Sequence, residues 1–392
     1  MVTEARETIK NSMKVLHLIS SGGMYGAEVM LLNLASAQKR LGCDPIIGVF
    51  RNALHPHLEI ADEADRRKLQ VAIFECNGRF DRKLLRAIRE FVRDRDISLV
   101  HGHGYKPDIY GYLSARAVGI PFVATCHLWT GATLLIRFYE FLDSFILRRA
   151  QAAVGVSDAI TQIVERSGVP RANISTIYNG TDFSRFRAAA PTLRADLGIG
   201  DRVLIGTVAR LEEQKGLEYF IRASREVLSE LPDALFVVVG DGSQRSRLDG
   251  LIRQLGLKSR VLLLGHRNDM PGVYASLDLF VLASIDEGMP MTILEALALR
   301  KPVIATAVGA VEKLVIPEQT GLLVQPRDVP ALRDAMLRCL RNQSFAQTLG
   351  KNGQEHVQTF FSAQGMARKY VELYERVLAQ QKTKAATSLQ EA

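Results

Sequence analysis

Short apolar runs recur along this chain, and between them the apolar residues fall three and four apart. Lys14–Ser20, Pro45–Phe50, Val71–Phe74, Leu99–His101, Phe122–Cys126 and Ala152–Val156 have strand length, while Val29–Ala35, Leu84–Val92 and Ile109–Val118 carry helical spacing. The second half repeats the alternation, with runs at Arg202–Ala209, Leu235–Val239, Val261–Gly265, Leu277–Leu282, Pro302–Thr306 and Thr320–Val324. Strands that alternate with helices predict an α/β fold with doubly wound parallel sheets. The 392 residues suffice for two such domains. The expected boundaries are a first domain over 1–185, a linker over 186–200 marked by Pro191, and a second domain over 201–362. An amphipathic helix over 363–380, with Met366, Tyr370, Leu373, Tyr374 and Val377 on one face, and a polar tail over 381–392 complete the chain.

In parallel sheets ligands bind beyond the C-terminal ends of the strands, so the residues that follow the apolar runs are the candidates for chemistry. The most informative stretch is Val281–Ala298, where a strand end, a tight loop and a helix follow one another. Pro290 suits the first helical position, and the free N–H groups just after it make that helix end a phosphate site. Glu287 falls outside the helix and Glu295 about five residues in, roughly 7–8 Å along the axis. A nucleotide sugar needs such an arrangement, with acceptors at the sugar and ribose and donors at the diphosphate. Two surface carboxylates flanking a helix start would read the same way.

Other strand ends add to this. Ser21–Glu28 is a glycine loop in which Gly22, Gly23 and Gly26 let the backbone approach a ligand, although a plain tight turn fits as well. Arg210 and Lys215, with Gly216 leading into a helix, give two cations able to neutralise a diphosphate. His101 and His103 follow one strand and His127 another, each able to bind a ligand or to make a structural hydrogen bond. Gly240 and Gly242 form G-x-G, but Arg245 stands where a third glycine belongs, which disfavours a nicotinamide site. The one literal D-x-D, Asp94-Arg-Asp96, ends an Arg-rich helix and reads as surface, so no metal is expected.

Composition narrows the class. With 47% hydrophobic and 23% charged residues the chain is well cored. No apolar run reaches membrane-span length, and Met1–Ser12 is polar and mixed in charge, unlike a secretory signal. Four widely spaced cysteines without CxxC point to a reducing compartment and away from zinc. A net charge of +8, spread over both halves, suits an anionic ligand or lipid surface but lacks the stripe that nucleic acid would need. The segment 134–149, apolar but broken by Arg137, Glu140, Asp143 and Arg148, fits either a helix buried against its neighbours or one that dips into a membrane interface.

The E-G-M-P-x-x-x-x-E setting of Glu287 and Glu295 resembles the E-x7-E signature of retaining glycosyltransferases of family 4. Arg210 to Gly216 and Tyr178-Asn-Gly-Thr-Asp182 are similar to further motifs of that family, in its order, and the motifs run from Ser20 to Val324. The resemblance implies a GT-B architecture, two Rossmann-like domains facing across a cleft that closes over the substrates. It implies that Arg210 and Lys215 stabilise the departing diphosphate, that Glu287 orients the sugar and that Glu295 accepts from the ribose. Gly22 and Gly23, the segment Gly288, Met289, Pro290, Met291 and Thr292, and the nucleobase position at His266 and Arg267 would complete the donor site. His127 would stand beside the donor sugar, with His103 and Tyr105 on the acceptor side. The donor would be a nucleotide-diphosphate sugar, with UDP-sugar favoured, and the acceptor a glycan or lipid-linked glycan. No cofactor, metal or covalent nucleophile is called for, and the protein would work in the cytoplasm, with peripheral contact to an anionic inner membrane face. An epimerase of the same architecture and a non-catalytic assembly protein that kept the fold are the rival readings.

Overall fold

The computed structural model describes residues 13–52, 56–78, 80–127 and 134–390, with the side chains of 134–138 and 384–390 outside that description. Residues 1–12, read above as a polar start, lie outside it as well. The chain divides into two compact units. The first takes residues up to Gly155, Ile163–Ser175 and the chain from Ala367 onward; the second takes Val156–Gln162 and Thr176–Met366.

The first sheet is built from β1 (Lys14–Ile19), β2 (Asp44–Arg51), β3 (Gln70–Glu75), β4 (Leu99–His103), β5 (Phe122–Cys126), β6 (Ala152–Gly155) and β7 (Ile174–Thr176). Its strands lie in the order β3-β2-β1-β4-β5-β6-β7. The second sheet uses β8 (Leu204–Val208), β9 (Leu235–Val239), β10 (Val261–Gly265), β11 (Leu279–Leu282), β12 (Val303–Thr306) and β13 (Leu322–Val324) in the order β10-β9-β8-β11-β12-β13. Ladders such as β1–β4 and β8–β11 are parallel. Every residue of β9 and β11 is buried, because helices on both faces leave these strands no polar side. Both orders reverse direction once, between β1 and β4 and between β8 and β11. That reversal opens a crevice at the strand C-termini, where doubly wound sheets bind ligands.

Three boundaries differ from the sequence reading. Residues 186–200, expected as a linker, belong to the second unit and include a helix over Leu193–Leu197. Phe186, Leu193 and Ile199 bury their side chains and the Leu193 N–H donates to Ser276 Oγ at 2.9 Å, which anchors the stretch. Tyr178–Asp182, expected to close the first domain, also lies in the second unit. The final helix spans Ala363–Gln390 and runs through the stretch read as a polar tail, which contains no glycine or proline to stop it. From Ala367 on, that helix is part of the first unit, where Tyr370 and Tyr374 are fully buried. All four cysteines are free and buried. Asp94 and Asp96 are exposed at a helix end. Among the described residues no helix is long and apolar enough to cross a membrane.

Helix Leu134–Leu147 has one buried and one exposed face among its described side chains. Ile146 and Leu147 are buried, whereas Phe141 and Phe145, one turn apart, are 69% and 50% exposed. On its inner face Asp143 meets Asp108, and Asp108 has room only because residue 102 is glycine: a Cβ there would lie 2.0 Å from Asp108 Oδ1. Burial lifts both carboxyl groups well above the usual carboxylate range, Asp143 to about 7, with Glu140, Tyr105 and Cys126 around them. Neither oxygen of Asp108 finds a hydrogen-bond partner among the described residues, and the nearby Asp143 carboxyl adds to burial in keeping Asp108 protonated. The folded pair holds protons that an unfolded chain releases above about pH 4, so stability falls as pH rises toward about 7. Asp143→Asn is therefore expected to stabilise the protein by about 1–2 kcal/mol near pH 8, with the gain vanishing toward pH 4, as read from urea denaturation at both pH values.

Candidate active site

The crevice between β8 and β11 gathers the charged residues singled out from sequence. Arg210 opens the loop after β8 and Lys215 ends a short turn, Glu213–Lys215, in the same loop. Glu287 lies in the loop after β11, before the helix Met291–Ala298. Lys215 Nζ donates to Glu287 Oε1 at 2.7 Å, and Ser284 Oγ donates to the same oxygen at 2.7 Å. The side chains are 14% and 6% exposed, so the pair is nearly withdrawn from water.

Backbone contacts fix this geometry from both sides. The Ile285 N–H donates to the Gln214 carbonyl at 2.8 Å, joining the two loops directly. Gly216 follows Lys215 at φ +58, and a Cβ there would stand 2.0 Å from the Ala283 carbonyl oxygen. Across the loop, a Cβ on Gly309 at φ +55 would come within 1.8 Å of the Glu287 carbonyl oxygen, while the Ala310 N–H donates to Gly288 O at 3.0 Å. Asn179 Nδ2 donates to Met289 O at 3.2 Å, and Thr306 Oγ1 to Ser284 O at 2.6 Å. Gly288, Met289, Pro290 and Met291 are buried and Thr292 is half-buried. Pro290 sits one position earlier than expected, as the cap residue with extended backbone rather than the first helical residue. The N–H groups after it still open the helix.

The remaining candidates spread outward. Glu295 is buried in the same helix and accepts from Tyr274 Oη at 2.8 Å. His266 is exposed after β10, and the Arg267 guanidinium is gripped by Asp269 and Asp196, each at 2.7 Å. That grip holds the Asp269 carboxyl down at about 2 and ties β10 to the 192–196 segment. Arg267 therefore serves as a clamp in this structure.

In the first unit the loop after β1 places Gly22 exposed and Gly23 buried at φ +132. Glu28 accepts from the Tyr25 N–H at 3.2 Å and from Ser21 Oγ at 3.1 Å. A carboxylate thus already occupies the start of helix Gly26–Arg40, so an anion at this loop would depend on the glycine backbone rather than on the helix end. His103 ends β4 and is buried, His127 follows β5, and their ring centroids lie 5.8 Å apart. Tyr105 Oη donates to Glu140 Oε1 at 3.2 Å. The sequence reading missed Ser284, Asn179, Tyr274 and Gly309. Asn179 stood in a quoted motif; the other three carry no signal apart from their place near a strand end or helix.

The family described as "Glycosyl transferases group 1" matches residues 190–356, and "Glycosyltransferase Family 4" matches residues 24–185. The Escherichia coli UDP-Gal:alpha-D-GlcNAc-diphosphoundecaprenol alpha-1,3-galactosyltransferase is 29% identical over 310 residues, which span 75% of this chain and 79% of that protein. The lipopolysaccharide core biosynthesis mannosyltransferase LpcC of Rhizobium leguminosarum bv. viciae is 30% identical over 249 residues, 62% of this chain and 69% of that protein. The fold matches Anabaena Alr3699/HepE, solved in complex with UDP-glucose, with a TM-score of 0.82, 23% identity, and coverage of 93% of this chain and 100% of that one.

Because the Lys215–Glu287 pair is buried, removing one partner strands the other. Lys215→Met alone is expected to lower unfolding stability by about 3 kcal/mol, and adding Glu287→Gln should restore much of the loss in a denaturant double-mutant cycle. Additive losses would show that the two groups are not coupled in solution. With a GT-B fold, charged groups meeting at the reversal of the second sheet, and matches over both halves, the chain belongs to glycosyltransferase family 4.

Proposed function

We propose that this protein moves a sugar from a uridine-diphosphate donor to a hydroxyl of a glycan or lipid-linked glycan, with retention at the anomeric carbon and without a metal ion. The observation that carries the reading is the Lys215 ammonium held 2.7 Å from Glu287 at the reversal of the second sheet. A relative that takes UDP-Gal and acts on a GlcNAc-diphosphoundecaprenol supports the choice of base and of acceptor class.

In the proposed reaction the bond between the anomeric carbon and the diphosphate breaks, and the acceptor oxygen bonds to the same face of that carbon. The acceptor's proton passes to the departing phosphate oxygen, so no protein base is consumed. Negative charge grows on the diphosphate, and Arg210 and Lys215 are the cations at hand to stabilise it where it develops. An ammonium has three donors, and one bond to Glu287 leaves others for phosphate oxygens. Among the described residues both bonds to Glu287 fall on Oε1, which leaves Oε2 for a sugar hydroxyl. The N–H groups at the start of helix Met291–Ala298 add donors for the anion.

Exposed Phe141 and Phe145, with the Arg149 guanidinium 3.5 Å from the Phe145 ring centroid, support contact with an anionic lipid surface, at the cytoplasmic face where a lipid-linked acceptor would be met.

Turnover of a panel of UDP-, GDP- and ADP-sugars, with and without a chelator, tests the reading. One UDP-sugar should be consumed regardless of chelator, and Arg210→Ala should cut that turnover by about 100-fold while changing stability by less than about 1 kcal/mol. Equal loss of folding and activity would remove Arg210 from the mechanism, and release of an epimerised sugar without acceptor would replace transfer by epimerisation. For the lipid surface, Phe141→Ser combined with Phe145→Ser should abolish sedimentation with phosphatidylglycerol vesicles while the protein stays folded. Unchanged sedimentation would remove the membrane from the reading.

A further inference from the structure

The first unit contains a polar network that the proposed reaction does not use. His17 on β1 and His101 and His103 on β4 lie side by side, fully or nearly fully buried, with the His101 and His103 ring centroids 4.2 Å apart. Three nitrogens of this trio come within 4.8 Å of one another, a spacing a metal ion could bridge. Their lone pairs and protons, however, are engaged in hydrogen bonds. His17 Nε2 meets Gln38 Oε1 at 2.8 Å and His17 Nδ1 meets His103 Nε2 at 3.1 Å. His101 Nδ1 meets Tyr374 Oη at 2.6 Å and His101 Nε2 meets Thr125 Oγ1 at 2.8 Å. Only His103 Nδ1 has no partner among the described residues.

Such a chain has a direction, and one amide sets it. Gln38 turns its NH2 group toward Tyr374 Oη, at 3.4 Å, and its oxygen toward His17. An amide oxygen only accepts, so the proton between Gln38 and His17 sits on His17 Nε2. Burial keeps all these rings neutral, with His17 and His127 brought down to about 4 and His101 and His103 also well below their ordinary value. A neutral His17 protonated at Nε2 has a bare Nδ1, which must accept from His103 Nε2–H. His103 then carries its one proton at Nε2 and leaves a lone pair at Nδ1. Reversing the Gln38 amide would reverse every bond in this row and turn His103 Nδ1 into a donor.

A buried acceptor without a donor costs about 1–3 kcal/mol, so its persistence calls for a partner. His103 ends β4 beside the reversal of the first sheet, where ligands of such sheets bind. His127, after the adjacent β5, likewise holds an enclosed Nε2 without a partner among the described residues. Two neighbouring strand ends therefore present unsatisfied ring nitrogens at the same edge.

We propose that Gln38 and His17 are positioning residues that lock His103 as its Nε2–H tautomer, so that Nδ1 accepts a hydrogen bond from a hydroxyl of the sugar acceptor. The acceptor half of this inference rests on the transfer reaction proposed above; the tautomer lock does not.

The full-length protein labelled with 15N-histidine separates the two. Long-range 1H–15N spectra at neutral pH are expected to show His103 protonated at Nε2 and bare at Nδ1, with the same tautomer at His17. A His103 protonated at Nδ1 overturns the lock, as does a wild-type tautomer that persists in Gln38→Met. For the acceptor half, the probes are methyl α-glycosides of GlcNAc, glucose, galactose and mannose in the presence of UDP. At least one should move the His103 Nδ1 resonance, and no movement with any of them overturns that half. In Gln38→Met, transfer to the glycosides should fall about tenfold more than hydrolysis of the donor by water, the worth of one hydrogen bond. An equal fall in both would reduce Gln38 to a core residue. Silence of the wild type toward every donor would remove the transfer reaction while the nitrogen spectra still decide the lock.

Discussion

The second unit is organised by one ion pair, Lys215 with Glu287, set where the strand order reverses. Two charges nearly out of water hold only if each keeps the other and the polar atoms around them are satisfied. That requirement propagates through the backbone. The loops after β8 and β11 must approach until Ile285 bonds to Gln214, which leaves no room for a side chain at residue 216. Gly309 must likewise yield to the Glu287 carbonyl, and Ser284 must turn its hydroxyl to the carboxylate. The arrangement is therefore set before any ligand arrives, which is the condition under which fixed charges act most strongly on a developing one.

The strands were legible because helices cover both faces of each sheet and the chain has to supply unbroken apolar runs there. Glu287, Lys215 and Arg210 were legible because charges immediately beyond a buried strand have few structural reasons to be there. Their supports were not. Ser284 is one hydroxyl among many until its 2.7 Å bond is seen, and Tyr274, which meets Glu295, lies in a helix that reads as core. Gly309 acts through the absence of a side chain, and nothing in the residues around it announces which carbonyl comes near. The supposed linker was misread for a related reason: its buried residues Phe186, Leu193 and Ile199 are separated by alanines, Pro191 and charges, and periodicity does not register such scattered anchors.

The first unit shows the opposite failure. His17 sits within an otherwise apolar run and was absorbed into it, and Asp108 stands in the first turn of a helix, just before the apolar spacing that reads as helical. Both are polar groups that a hydrophobic pattern hides, since the pattern counts only their neighbours. The burial of His17 becomes intelligible once its partner Gln38, from elsewhere in the chain, is visible, whereas Asp108 faces a second carboxyl, Asp143, and stays protonated. Polar interiors of this kind define one arrangement more sharply than an apolar filling would, because every donor has to find its acceptor.

The last helix carries a consequence of another sort. Tyr370 and Tyr374, whose hydroxyls bond Thr125 and His101, come after the whole second unit. A ribosome delivers residues in order, so the first sheet emerges long before the aromatic residues that close over it. Until residues 370–374 emerge, the hydroxyls that His101 and Thr125 need must come from water, and the nascent first unit remains an open shell. The second unit, apart from the short Val156–Gln162 piece, is contiguous and emerges whole. The first sheet thus precedes the second unit in synthesis, yet its closure waits for residues that follow that unit.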